Sequence, residues 1–413
     1  MKRGIILIAA AIQFILSGCG DILTVTVSNP LEVDRQTELV EIPLTEVYAA
    51  LGVADNDKFV VRNGKEEVQY QLTHDGKVVF PVTLSANQTQ TFTLRKGTPV
   101  EFTSKVRGDH YPDRVDDICW ENDLVGYRVY GYKEDKASGY DIFTKRNTDL
   151  PVIPEMYRKA LDPEMKKRQK EIEKEFGKDS ASRFNNEHMS FHVDHGYGAD
   201  FYAVGPTLGA GTSALLDGED IVYPFCYDKY EILDNGPLRF TIRLTFRPFD
   251  IGKSKNVVET RVISLDLGSH FNKTAVSFEG LDAPTPIVTG MVVQDKDGKS
   301  VGDATKGYIA YPAPTMNFQS FYKEVDNGTV FLGHVFPTEL EKTELTYFSD
   351  KESKERGSAK GHMLAHSTYD PAKPFIYYWG FGWNFWDIET FEEWISHVEA
   401  FSTQLRNPIT VIY

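Results

Sequence analysis

A mainly β fold is what this sequence predicts: a small N-terminal β-module, then a large β-sandwich with few helices. Three observations predict it. Short β-branched runs punctuated by turn pairs recur through most of the 413 residues. Complete helix signals appear in only two segments. Neither a β-α-β rhythm nor an internal repeat is present, which argues against doubly wound and barrel architectures.

The elements follow in order. Lys2 and Arg3 precede an apolar run, residues 4–16, broken only by Gln13, and Leu16-Ser17-Gly18-Cys19 has the form of a lipobox. The run is too short to span a bilayer and reads as a removable signal. Cleavage would leave Cys19 lipidated and the protein anchored to a membrane. The residue after the anchor, Gly20, favours the outer membrane facing the periplasm, with the cell surface as the alternative.

From Leu23 to about Pro99 the chain alternates, as in Lys58-Phe-Val-Val-Arg62 and Lys77-Val-Val-Phe-Pro-Val-Thr-Leu84, with hairpin signals at Asn63-Gly64 and Asp75-Gly76. The polar stretch 105–109 reads as a junction. The expected divisions are therefore a signal at 1–19, a β-module at 20–104 and the large domain at 105–413. Asp162-Pro163-Glu164 caps a charged surface helix that Gly177 ends. Thr390 and Glu393 make a capping box before the amphipathic Phe391, Trp394, Ile395, Val398 and Phe401. Strands dominate 223–348.

Composition limits the function. The net charge of −15 becomes −17 without Lys2 and Arg3 (43 basic against 60 acidic residues), which argues against a nucleic-acid partner. An acidic ligand would need local Arg or Lys. Cys119 and Cys226 could pair or stay as buried thiols; two cysteines so far apart are no disulfide framework.

Three segments carry candidate chemistry. In residues 116–130, read as one strand, Trp120, Arg128 and Tyr130 share one face and Cys119, Glu121, Asp123 and Tyr127 the other. Charged groups then lie among core residues, and Glu121 or Asp123 needs Arg128 or Arg114 as a partner. This is either a structural ion pair or a ligand-facing wall. In His192-Val-Asp-His-Gly-Tyr-Gly-Ala-Asp-Phe-Tyr202, His192 and Asp194 share a strand face. A glycine turn can bring Asp200 and Tyr202 back beside them, with His195 and Tyr197 in the turn. Such a group can transfer protons near neutral pH. It could instead hold a divalent cation such as calcium, the less favoured reading, or be a self-bonded turn. In residues 377–386, Tyr377, Trp379, Phe381, Trp383 and Phe385 alternate. They form either an aromatic core ladder or a sugar platform, with Asn384 bonding hydroxyls. No motif calls for a cofactor, and a Gly-x-Ser-x-Gly elbow is absent.

Together Trp120-Glu-Asn-Asp123 with its flanks, His192-Val-Asp-His-Gly196, Val204-Gly-Pro-Thr-Leu-Gly-Ala-Gly211 and Tyr378-Trp-Gly-Phe-Gly-Trp383 resemble the domain-of-unknown-function family 4861 of bacterial lipoproteins. The resemblance covers most of the chain from about Thr24. Ala210 and Phe381 depart from the family pattern, which has a cysteine and a small residue there. The resemblance implies a two-sheet supersandwich like that of galactose mutarotases and polysaccharide lyases. It also implies a setting among enzymes that dismantle pectin-like plant glycans.

With that resemblance, the leading expectation is a carbohydrate-active enzyme acting on a uronate-containing oligosaccharide, as a lyase or as a hydrolase, and the residues take roles within it. His195 or His192 is acid/base, oriented by Asp194 or Asp200, with Tyr197 or Tyr202 moving a proton. Arg114 or Arg128 holds a carboxylate, and Trp379 and Trp383 stack the sugar. Glu121 with Asp200 would serve a hydrolase. The rival class is a non-catalytic glycan-binding lipoprotein.

Overall fold

The structure is a computed structural model that describes residues 22–54, 57–131, 139–146, 152–296, 298–315 and 325–413. The signal and Cys19 lie outside the described residues. The fold is mainly β, with every paired strand antiparallel within five sheets and six helices among the described residues.

The N-terminal module packs a five-stranded sheet and a three-stranded sheet around its own core of Val25, Val27, Val40, Phe80 and Leu94. Its turns fall at Asn63-Gly64 and Asp75-Gly76 as the turn chemistry requires. Two features were not foreseen. Helix α1 (Leu44–Leu51) turns Val47 and Leu51 into this core and stops at Gly52 in the left-handed region. The C-terminal strand Thr410–Ile412 pairs with Ile22–Ser28 and completes the module.

The large domain is a layered sandwich. One layer is a nine-stranded sheet, in which Arg239–Thr245, Ser254–Asp266, Phe271–Glu279, Phe375–Trp383 and Thr329–Val335 lie side by side. The facing layer holds a five-stranded sheet built on Thr285–Val293 and a four-stranded sheet, Arg107–Tyr111, Asp117–Glu121, Gly126–Val129 and Asp141–Phe143. Inner-face residues of all three sheets share one core that includes Trp120, Tyr127, Phe240, Ile263 and Trp379. Period-2 alternation places them there and sends their neighbours outward.

Helices α2 (Ile153–Leu161), α3 (Pro163–Phe176) and α4 (Lys178–His188) form an insertion. Asp162 accepts from the Glu164 and Met165 amides at the start of α3, as its sequence predicts. Helix α5 (Asp350–Glu355) is short, and α6 (Phe391–Arg406) carries the Thr390–Glu393 capping box. Trp394 and Val398 of α6 pack on Phe331 and Phe271 of the large sheet. Cys119 and Cys226 are both free and buried.

Candidate functional site

The site begins with a hairpin where a single strand was expected. Asn122 accepts from the Leu124 and Val125 amides at 2.9 Å each, closing a turn between Asp117–Glu121 and Gly126–Val129. The turn resets the alternation. Trp120 and Tyr127 point together into the shared core, whereas Asp117, Cys119, Glu121, Arg128 and Asp141 crowd the outer face of the four-stranded sheet. Cys119 and Phe143 there pack under α2 and Phe191.

The expected partnerships change accordingly. Arg128 bonds Asp141, Asp200 at 2.7 Å and the Tyr130 hydroxyl at 2.8 Å. Glu121 accepts from the Val152 and Ile153 amides at the start of α2 and lies 2.8 Å from Lys145 Nζ. Asp123 accepts from the Gly268 amide, and Arg114 lies 3.8 Å from Asp117. Glu121 and Asp123 are thus tied into the scaffold, and Arg128 is committed to internal carboxylates. Burial pushes the Asp200 carboxyl up to about 6, with Arg128 opposing the shift, and raises Asp117 for the same reason.

The histidine turn folds over this face. His192 Nδ1 sits 3.0 Å from the Asp200 carbonyl oxygen and 3.5 Å from its carboxylate. Both oxygens can only accept from it, so Nδ1 carries a hydrogen. About a third of the His192 side chain is exposed.

Asp194 does not orient a histidine. It accepts from the Gly196 and Gly198 amides and from Arg146 at 2.7 Å. Burial alone would raise its carboxyl, but these donors hold it below the usual range. Gly198 has φ of +99°, and a Cβ there would meet the Thr144 carbonyl oxygen at 2.0 Å, so the turn requires glycine. His195 Nε2 lies 3.2 Å from the Ser190 carbonyl, and burial lowers its pKa. The Tyr197 hydroxyl accepts from Lys159 at 2.9 Å. Tyr202 leaves the face and enters the shared core.

The aromatic strand keeps its alternation, but its rings are core. Trp379 stacks on Tyr140 with centroids 4.3 Å apart, and its Nε1 donates to Thr274. Trp120 Nε1 donates to Asn272 and Trp383 Nε1 to the Asn327 carbonyl. Asn384 accepts from the Thr329 amide. Trp120, Trp379 and Trp383 are at most 1 % exposed, so none offers a face to a sugar in this conformation. Past the strand's end Phe385 and Trp386 are exposed. Arg146 lies 4.6 Å over the Trp383 ring and donates to the Phe385 carbonyl. The three distant segments therefore meet, through Arg128–Asp200 on one side and Asp194–Arg146–Trp383 on the other.

Several residues of this face were missed. Asp141, Lys145 and Arg146 belong to Tyr140-Asp-Ile-Phe-Thr-Lys-Arg146, whose β-forming Tyr140, Ile142, Phe143 and Thr144 were a legible strand signal. Lys159 sits on α2, in a segment for which no helix was expected. His110 lies 3.2 Å from Asp116 and 3.0 Å from the Tyr230 hydroxyl. Next to it Val115 and Asp116 both adopt positive φ (44° and 55°), a strained pair for which the sequence carries no signal. No group of three or more His, Cys, Asp or Glu arranged for a metal ion occurs among the described residues.

A family model described as a domain of unknown function, DUF4861, matches residues 27–411. The chain belongs to that family. It is similar to uncharacterized protein P7 of Formosa agariphila, with 24 % identity over 439 residues covering 100 % of this chain and 99 % of that protein. Among solved structures it is similar to an alpha-mannosidase from Enterococcus faecalis (TM-score 0.45, 8 % identity, 96 % of this chain). A second is a glycosyl hydrolase family 38 protein from the same organism (TM-score 0.38, 10 % identity, 95 % of this chain). The chain spans about half the length of these two, 46 % and 47 %. In this family member, Ala210 offers its carbonyl to His334 and Phe381 fills the shared core.

Proposed function

We propose that the protein is a carbohydrate-active enzyme that cleaves uronate-containing, pectin-like oligosaccharides by elimination. The observation that carries this reading is His192, part-exposed with Nδ1 against buried Asp200, on a turn whose Phe191, Asp194 and Tyr197 meet the cations Arg114, Arg146 and Lys159. His192 Nε2 takes the proton on the carbon α to the sugar carboxylate. That electron pair forms a carbon–carbon double bond as the bond to the glycosidic oxygen breaks, and Tyr197 gives the departing oxygen its proton. Arg114 or Arg146 binds the carboxylate and offsets the charge that builds on it. A hydrolase built on Glu121 and Asp200 has less support, because Glu121 is buried and already bonded to two amides and Lys145.

The second reading, a glycan-binding protein without turnover, rests on the exposed rings of Phe385 and Trp386, which could stack on a sugar. Purified protein incubated with pectic oligosaccharides decides between them. Growth of unsaturated-uronate absorbance that vanishes in His192→Gln supports the lyase. Binding without new ends or absorbance across the panel supports the binder. We propose as well that Cys19 is lipidated and holds the protein at the outer membrane, facing the periplasm. Loss of lipid labelling in Cys19→Ser tests this.

A further inference from the structure

The three cations around the histidine turn are not equally free. Arg146 is bonded to Asp194 and the Phe385 carbonyl and lies over Trp383, and Lys159 donates to Tyr197. The Arg114 side chain makes no hydrogen bond among the described residues. Its carboxylate neighbour Asp117 stands 3.8 Å away, beyond hydrogen-bond reach, and already accepts from the Tyr157 hydroxyl at 2.6 Å. About a third of the Arg114 side chain is exposed. Its guanidinium lies 5.8 Å from the centre of the Phe191 ring, and that ring meets His192 edge-on with centroids 4.7 Å apart. Arg114 and His192 therefore flank one aromatic side chain.

The backbone that carries Arg114 is strained. Its amide donates to the Tyr111 carbonyl at 3.1 Å, and its carbonyl accepts from the Asp117 amide at 2.9 Å. Within that second turn Val115 and Asp116 take φ of +44° and +55°. A β-branched residue is an outlier there, and such a conformation persists only where its surroundings over-determine it.

The surroundings of Asp116 do so. The Tyr227 hydroxyl donates to its carbonyl at 2.5 Å, and His110 Nε2 lies 3.2 Å from its carboxylate. His110 is held in turn by the Tyr230 hydroxyl, 3.0 Å from Nδ1. Gly131 packs so closely that a Cβ at that position would collide with the Asp116 side chain. Val115 itself is only part-buried, and a glycine would adopt its φ without strain. The turn keeps a stiff residue where a permissive one would relieve it.

We propose that the strained Val115–Asp116 turn is a positioning device that presents Arg114, and not Arg146, to the carboxylate of a uronate bound at His192. This rests on the uronate reading above and adds which cation holds the acid group and what aims it. A guanidinium with free donors can bond a carboxylate through two nitrogens, and a fixed backbone loses little freedom in doing so.

Calorimetric titration of the purified protein with trigalacturonate tests this. Arg114→Ala should weaken binding about tenfold or more. Val115→Gly should keep or raise the melting temperature and still weaken binding about threefold or more, because Arg114 is no longer aimed. Tyr227→Phe, which takes one hydroxyl from the lock, should weaken binding in the same direction. In the double variant Arg114→Ala with Val115→Gly, the second change should cost no further affinity. Additive losses, or a loss in Val115→Gly only alongside a lower melting temperature, would mean a merely structural loop and overturn the proposal. Undiminished binding in Val115→Gly, with Arg114→Ala weakened, overturns the role of the turn alone. Undiminished binding in Arg114→Ala overturns the choice of Arg114 and leaves the uronate reading standing. If the wild-type protein binds no uronate, that reading falls and this inference with it.

Discussion

The two outer faces of the sandwich spend their charges differently. On the four-stranded sheet a buried core of Arg128, Asp141 and Asp200 supports a rim of part-exposed Arg114, Arg146, Lys159 and His192. On the nine-stranded sheet Arg239 and His74 join the two modules through Glu41 and Asp234, Lys77 is paired within the N-terminal one, and Lys273 stands among hydroxyls and rings. The rim cations each have a carboxylate within reach but stay part-exposed, which suits a charged substrate and proton transfer.

Breaking the face that carries His192 should give the largest effects. His192→Gln is expected to cut turnover by about 10²–10⁴-fold, the usual contribution of a general base, without lowering the melting temperature. An unchanged rate would move the chemistry elsewhere. Arg128→Met strands two buried carboxylates and is expected to cost about 3–5 kcal/mol in denaturant unfolding, because uncompensated buried charge is expensive. A loss below 1 kcal/mol would mean Asp141 and Asp200 find other partners.

A core comparison sharpens the same point. Trp379→Ala should destabilise by about 3–5 kcal/mol. Trp386→Ala should leave stability within about 0.5 kcal/mol and weaken only sugar affinity.

The pH dependence separates the two faces further. With the Asp200 carboxyl pushed up to about 6, turnover should fall as pH drops through that value, since His192 loses its anionic partner. Asp200→Asn should abolish that acid limb along with most of the activity. For stability the sign is opposite. A carboxyl raised in the folded state favours folding below the unfolded pKa, and that contribution is lost as pH rises through about 6. The buried histidines work the other way. Burial lowers His397 on α6 to about 3 and His334 in the core to about 4. Their contribution is full above the unfolded value near 6.5 and is lost as pH falls from there towards 3–4. His334→Gln should flatten the melting temperature below pH 6. The smallest effect is Thr241→Val, whose stability should change by under about 0.5 kcal/mol.

What the sequence made legible was local. Alternation located the strands from Leu23 to Leu94 and from 238 to 332, and the caps at Asp162 and Thr390 located two helices. Helix α1 escaped because its Leu44, Val47, Tyr48 and Leu51 spacing sits inside a strand-rich stretch. The helical face of α2 has only nine residues, too few to stand out against the charged insertion that follows. The candidate site was legible as a convergence of three segments and misread in its partnerships. The turn at Asn122 inverts the parity of everything after it, so Arg128 was placed on the wrong face. The tryptophans were offered to a ligand because a ring ladder looks the same whether a second layer covers it or not. That layer, with Tyr140 stacked on Trp379, is a long-range fact.

The pairing of Thr410–Ile412 with Ile22–Ser28 bears on how the molecule is assembled. Ile409 and Val411 help seal a core that otherwise belongs wholly to residues 23–94. The earliest-synthesised module therefore waits for residues almost four hundred positions later before its edge is covered. Such a contact is as non-local as this chain allows and slows acquisition of the native state. Until it forms, Ile22–Ser28 presents a bare, apolar edge, the kind of surface that pairs with other chains unless a chaperone covers it.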